Sequence, residues 1–243
     1  MNPHDPNVAK VELIAQALGG LREQVVFVGG CAVGLLLTDP TASPPRVTYD
    51  VDLVAQVAAL RGYHQLEREF GRLGFQRDMA DDAPICRWRY QQLEVDLMPT
   101  DPSVLGFANR WYPLAVAQAE PVTLPSGTVI RLIGAATFMA TKFEAFADRG
   151  RNDLLSSHDA EDIINLIDGR PELVAEVASA PAELRNYLVA RCKALLARPD
   201  FADALTGMIV PDEALAERVQ TVLRRLDWMV QDPELGTSIA TRS

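Results

Sequence analysis

Histidine, cysteine, long apolar runs and positive charge are all scarce in this chain, and each shortage narrows the function. Only three histidines occur in 243 residues, His4, His64 and His158, too few and too scattered for a histidine-built metal centre. The three cysteines, Cys31, Cys86 and Cys192, are odd in number and far apart, which fits a reducing cytosol better than a disulfide framework. No apolar run is long enough to span a bilayer, and no charged-then-apolar secretory segment opens the chain. A cytoplasmic protein with no membrane partner is therefore expected, with Met1 to Pro6 frayed. Lys and Arg total 23 against 33 Asp and Glu, a formal net charge of -10. Overall attraction to a phosphate backbone is not expected, because that needs a positive surface. Two local basic groupings, Arg185-Arg191-Lys193-Arg198 and Arg218-Arg224-Arg225, read as solvated helix faces, with a local phosphate-binding patch as the rival reading. Internal repeats and low-complexity segments are absent.

What the chain does have is an ordinary globular composition, 48% hydrophobic and 23% charged, with ample apolar material for a core. Its length suits one large domain or two small ones. Val8 to Leu18 carries apolar residues at helical spacing and stops at Gly19-Gly20. Val25 to Val28 is a β-rich run ending at Gly29-Gly30, followed by a buried helix start from Cys31 to Leu37 and a proline-rich loop from Asp39 to Pro45. Arg46 to Val54 reads as a strand, Tyr63 to Leu73 as an amphipathic helix, and Ile85 to Tyr90 and Leu93 to Met98 as two further strands. A hairpin is expected over Pro121 to Leu132, around Pro125-Ser126-Gly127. From Ala135 the character changes to helices: Ala135 to Ala147, Asp159 to Ile167, Pro171 to Ala178, Ala182 to Leu196 and Asp212 to Val230. The expected class is α+β: residues 1–133 form a short mixed sheet with flanking helices, residues 134–232 a helical domain completing a cleft, and residues 233–243 a disordered tail.

The chemistry concentrates in Arg46-Val47-Thr48-Tyr49-Asp50-Val51-Asp52. Two carboxylates two residues apart on a strand share a face, about 6.5 Å apart along the chain. From there they can converge on hard cations, which take oxygen ligands. Asp-x-Asp also occurs in turns and on solvated strands, so a third acid matters. Asp96, in Leu93-Glu94-Val95-Asp96-Leu97, supplies it from a second strand of the same alternation. Glu94 reads as the wet face of an edge strand. Gly29-Gly30, between a β-run and a helix, lets the backbone approach a phosphate closely, although a tight turn with no ligand has the same sequence.

A strand ending in Gly-Gly, a helix, a strand carrying Asp-x-Asp and a later strand with one more acid resemble the nucleotidyltransferase superfamily. That resemblance implies two divalent ions, Mg2+ or Mn2+, held by Asp50, Asp52 and Asp96, with a nucleoside triphosphate on Gly29 and Gly30. Arg46-x-Thr48-x-Asp50-x-Asp52, followed by Lys142-x-x-Ala145 and Arg149, resembles the AbiEii-type toxin nucleotidyltransferases. Nucleotide contacts from Arg46, Thr48 and Lys142 are implied, with Arg149 and either Asp159 or Asp162 as further site residues. The implied activity moves a nucleoside monophosphate from a triphosphate, ATP among them, to a hydroxyl of a tRNA 3′ end, a protein or a small molecule. A cognate toxin or antitoxin is the implied partner. Gly30 stands where many relatives carry serine, so that hydroxyl is missing.

Two other readings use the same residues. One is a nucleotide- or partner-binding module on this fold without turnover. The other is a metal-dependent phosphohydrolase, from His158-Asp159, which the histidine count disfavours. Ser156 or Ser157 as a helix cap with acids in the first turn explains that segment. Trp111-Tyr112 reads as a buried anchor rather than a base-stacking pair.

Overall fold

A computed structural model describes residues 5–42, 44–57, 59–149 and 153–231, with only the backbone at residue 149. Arg151, the first four residues of the chain and the expected tail 233–243 lie outside the described residues, as does the side chain of Arg149. The chain forms two compact units: a sheet unit of Pro3–Leu35 and Arg46–Gly134, and a helical unit containing Leu36–Pro45 and the chain from Ala135 onward.

The sheet unit opens with α1 (Val8–Leu18), whose helical spacing buries Val11, Ile14, Ala15 and Leu18. A 3-10 turn leads into β1 (Val25–Val28), buried throughout, and a second 3-10 turn over Gly30–Ala32 leads into α2 (Val33–Leu36). Then come β2 (Asp50–Ala55), α3 (Leu60–Arg72), β3 (Gln76–Arg77), β4 (Arg87–Tyr90) and β5 (Leu93–Pro99). Two short helices, α4 (Pro102–Leu105) and α5 (Tyr112–Ala117), precede the hairpin of β6 (Glu120–Thr123) and β7 (Val129–Leu132). The seven strands lie in the order β3-β4-β5-β2-β1-β7-β6. The β2–β5 and β1–β7 pairs are parallel and the rest antiparallel, so the sheet is mixed as expected. On α3, Tyr63, Leu66 and Phe70 form the apolar stripe. The Tyr63 hydroxyl donates to the Leu97 carbonyl at 2.8 Å, and the Phe70 ring lies 4.7 Å from Phe75 and 5.6 Å from Trp88 between centroids.

Three sequence expectations need correction here. The strand expected from Arg46 begins at Asp50, because Arg46 to Thr48 bond to side chains instead of a neighbouring strand. The Asn7 amide donates to the Arg46 carbonyl at 2.9 Å and accepts from the Thr48 N–H at 3.0 Å, and the Lys10 ammonium donates to the Thr48 carbonyl. Val47 and Tyr49, which strand alternation from Arg46 would set on the buried face with Val51 and Leu53, are exposed. The strand bearing Glu94 is not an edge: β5 lies between β2 and β4. Trp111 is buried, as read.

The helical unit contains α6 (Ala135–Arg149), α7 (His158–Gly169), α8 (Leu173–Ser179), α9 (Ala182–Leu196), α10 (Phe201–Met208) and α11 (Leu215–Gln231). Helix α7 is central, buried on nearly every side from Asp162 to Gly169. Ser157 caps its start, accepting from the Ala160 N–H at 3.3 Å, with Asp159 and Glu161 in the first turn. Its other end is closed by the 36–45 loop: the Thr38 and Asp39 N–H groups both donate to the Gly169 carbonyl at 3.0 Å. Arg225 donates to the carbonyls of Ile167 and Asp168. These contacts satisfy carbonyls that a helix end leaves without intrahelical partners.

Gly169 permits this closure, since a Cβ there would meet Leu37 Cδ2 at 2.8 Å and Ala42 Cβ at 3.0 Å. Gly169→Val is expected to lower unfolding stability by about 1–3 kcal/mol through overpacking. Urea denaturation checks this, and an unchanged midpoint would show that the loop does not press on α7 in solution.

Candidate functional site

Strand pairing assembles the acids. The parallel register sets Asp50 opposite Glu94 and Asp52 opposite Asp96. Strict alternation then directs these four side chains to one face of the sheet and Val51, Leu53, Val95 and Leu97, all fully buried, to the other. One carboxylate oxygen each from Asp50, Asp52 and Asp96 lies within 4.8 Å of the other two.

The glycine bend abuts this cluster. Val28, the last residue of β1, pairs with Asp52, and the chain turns away at Gly29 with φ +69°. A Cβ on Gly29 would fall 1.7 Å from Asp52 Oδ2 and 2.5 Å from its Cγ. Glycine is required here twice over, for the left-handed backbone and for the space that Asp52 occupies. Gly30 is buried and opens the following 3-10 turn.

Each acid has its own support. The buried Thr48 hydroxyl donates to Asp50 Oδ1, so this residue, implied as a nucleotide contact, bonds a site carboxylate. Arg46 is half-buried, its carbonyl taken by Asn7. The Cys31 thiol donates to the Asp50 carbonyl oxygen at 2.7 Å. Burial, reinforced by the charges of Asp52 and Asp50, pushes that thiol well above its ordinary value, so it stays protonated and can donate. Asp96 is gripped by Arg87 of β4: Nε lies 2.9 Å from Oδ1 and Nη2 2.8 Å from Oδ2. The remaining nitrogen, Nη1, lies 2.6 Å from Glu94 Oε2. Hydrogen bonding to Asp96 raises the Arg87 guanidinium above its usual value, against the opposing effect of burial.

In the helical unit, the Lys142 ammonium of α6 lies 3.1 Å from Asp159 Oδ1 and 2.7 Å from Asp162 Oδ2, both on α7. Asp162 is completely buried. This arrangement ties α6 to α7, and removal of either partner of such a buried pair is costly because it leaves a charge uncompensated.

The triad fits a divalent cation. It offers hard oxygen donors and no soft ligand, from neighbouring strands, with oxygens close enough to share one ion. No protein-family model and no curated protein matches this sequence. Among solved structures, an antigenic nucleotidyltransferase-like protein from Paracoccidioides brasiliensis matches with a TM-score of 0.52 at 24% identity, over 86% of this chain and 95% of that one. The chain has a nucleotidyltransferase-like fold. Other matches are the antibiotic-resistance factor ANT(2'')-Ia (TM-score 0.43, 18% identity, 78% and 94% coverage) and JHP933 from Helicobacter pylori (0.46, 10%, 97% and 97%).

Within this nucleotidyltransferase-like sheet, sequence reasoning missed Asn7 and Arg87. Asn7 carries no motif and lies 39 residues from the Arg46 carbonyl it holds. Arg87 was visible as a cation at the start of a strand, but its pairing with Asp96 depends on register across two strands.

Gly29→Ala is expected to displace the Asp52 carboxylate and reduce any metal-dependent activity at least about a hundredfold, since a misplacement of about 1 Å at a positioned group has that effect. Steady-state rates with circular dichroism as a fold control would show it, and a folded Gly29→Ala variant at wild-type rate would contradict the geometry. Lys142→Met is expected to cost about 3–5 kcal/mol of stability by stranding buried Asp162. Denaturant titration separates this from a purely phosphate-facing lysine, whose loss would raise KM for a triphosphate with stability nearly intact.

Proposed function

We propose that the protein is a metal-dependent nucleotidyltransferase, moving a nucleoside monophosphate from a triphosphate to a hydroxyl acceptor with release of pyrophosphate. The observation that carries this reading is the meeting of Asp50, Asp52 and Asp96 within 4.8 Å, beside a glycine bend lying against Asp52. The nucleotidyltransferase-like fold supports it.

The acceptor oxygen forms a bond to the α-phosphorus as the bond from that phosphorus to the pyrophosphate oxygen breaks, and the hydroxyl proton leaves to a base or to water. A bound Mg2+ or Mn2+ supplies Lewis-acid stabilisation of the developing charge and lowers the pKa of the acceptor hydroxyl. Asp50 and Asp52 would hold the cation that serves the triphosphate. Asp96 holds the acceptor side or takes the proton. Gly29 and Gly30 bring backbone close to the phosphates, and the sequence resemblance adds Arg46 and Lys142 as nucleotide contacts and Arg149, Asp159 and Asp162 as further site residues. Thr48 acts through Asp50, which its hydroxyl orients. A phosphate reaching Lys142 competes with the carboxylates of Asp159 and Asp162. Most of the rate enhancement comes from positioning and electrostatics.

The narrower pattern around Asp50 and Lys142 supports a cytoplasmic enzyme of the AbiEii-like toxin type with a cognate partner. Its acceptor is then a tRNA 3′ end or a protein. One specific observation favours a second reading, nucleotide binding without turnover: in this structure both oxygens of Asp96 are engaged by Arg87.

Incubation with Mg2+ and each α-labelled triphosphate, with tRNA, bulk RNA, candidate proteins and the protein itself, tests both readings. Label transfer with pyrophosphate release, reduced at least about a thousandfold in Asp50→Asn, is the expected outcome. Full transfer by a folded Asp50→Asn variant would remove the assignment. Saturable triphosphate binding with no pyrophosphate under any acceptor would establish the second reading.

A further inference from the structure

Among the described residues, Arg87 is a cation bonded directly to an acid of the triad. It faces Asp96 across the β4–β5 ladder. Its guanidinium presents all three nitrogens to carboxylates, two to Asp96 and one to Glu94. The arginine and aspartate side chains are only 20% and 12% exposed, so solvent screens the pair weakly. A fork that meets a carboxylate edge-on fixes the plane of that carboxylate, which a lysine cannot do. Each Asp96 oxygen keeps a second lone-pair direction, so the pair constrains a cation at Asp96 without excluding it.

We infer that Arg87 is a resident counter-ion of the cluster: it positions Asp96 and weakens the hold of the triad on a divalent cation. This rests on the triad being a cation site, as proposed above. In the cation-free cluster, the guanidinium offsets part of the repulsion among three carboxylates. When a cation binds, the like charge of Arg87 opposes it, and Asp96 is shared between the two. An ordinary structural ion pair on this strand would affect folding and leave cation affinity alone.

The decisive variant is Arg87→Met/Glu94→Gln, which removes one positive and one negative charge and leaves the net charge of the chain unchanged. Mn2+ affinity is read by electron paramagnetic resonance on the full chain. The double variant is expected to bind Mn2+ about fivefold or more tightly than wild type, because the removed cation bonds both oxygens of Asp96, whereas Glu94, although it stands opposite Asp50, is not one of the three acids whose oxygens converge. The gain is expected to vanish when Asp96→Asn is added. Should the double variant not fold, the wild-type protein gives the answer through its arginine Nε–H resonances, with Arg87 assigned by loss of its signal in Arg87→Lys. During Mg2+ titration that resonance is expected to shift with the midpoint of cation binding. Mn2+ affinity unchanged or weakened in the folded double variant overturns the inference, as does an Arg87 resonance indifferent to Mg2+. Wild-type protein whose Mn2+ binding is absent, or insensitive to Asp50→Asn, overturns both this inference and the enzyme reading. Binding that depends on Asp50 but ignores Arg87 overturns this inference alone.

Discussion

The in-register parallel pairing of β2 with β5 is the constraint on which the site depends. It sets Asp52 against Asp96, and a slip by one residue would send every side chain of a strand to the opposite face. Three carboxylates with oxygens within 4.8 Å repel one another by about 3 kcal/mol per pair at an effective dielectric of about 20. The opposing face decides the matter. Val51, Leu53, Val95 and Leu97 are fully buried there, each contributing about 1.5–3 kcal/mol. Trp88 and Phe70 extend the same apolar layer. A slipped register would place these apolar chains among the acids and the acids in the core. Burial on one side of the sheet therefore holds together a charge cluster on the other that would not assemble by itself.

The local environment then gives each acid a different companion. Asp52 faces a glycine, Asp50 a threonine hydroxyl, and Asp96 an arginine fork. Residues 46–48 need no strand partner because the Asn7 and Lys10 side chains replace one. The helical unit solves a similar problem by another route, burying Asp162 only together with the Lys142 ammonium. In both units an acid is placed where water is scarce, and a neighbouring donor makes that placement tolerable.

Much of this was legible in the sequence wherever one period governed a segment. Alternation in Leu93 to Leu97 put Asp96 on the correct face, and the Gly-Gly turn after Val28 marked the bend beside the site. The hairpin over residues 120–132 and the helix from Ala182 to Leu196 followed from turn chemistry and apolar spacing. The failures have physical causes. Arg46 to Tyr49 alternates like a strand, yet distant side chains bond the backbone of Arg46 and Thr48, and no local pattern reports that. The helix α10 was missed although Phe201, Ala204, Leu205 and Met208 are spaced for one buried stripe. Pro199 before it and Gly207 within it resemble a loop when read alone. Arg87 was invisible as a site residue because its meaning is its partner, and partners are fixed by register.

The basic groupings near the C-terminal end bear on the acceptor. In the sequence they read as solvated faces, with a phosphate-binding patch as the rival. The structure corrects the solvated reading for several of them. Arg218 is held by Asp168 at 2.9 Å, and burial lowers the pKa of Arg225 while it donates to the end of α7. Arg185 donates to the Ala178 carbonyl, Arg198 to Asp200, and Arg191 lies 3.8 Å from Glu144. A polyanion binding to these side chains must compete with contacts that tie α11 to α7 and α9 to α8 and α6, on a chain of net charge -10. Phosphate-backbone affinity grows with the number of cations free to displace counterions, and these arginines are already engaged within the fold. If a tRNA end is the acceptor, its recognition therefore rests on the few nucleotides at the reacting hydroxyl rather than on a broad electrostatic surface. Under the proposed reading, a protein or small-molecule hydroxyl imposes no such requirement.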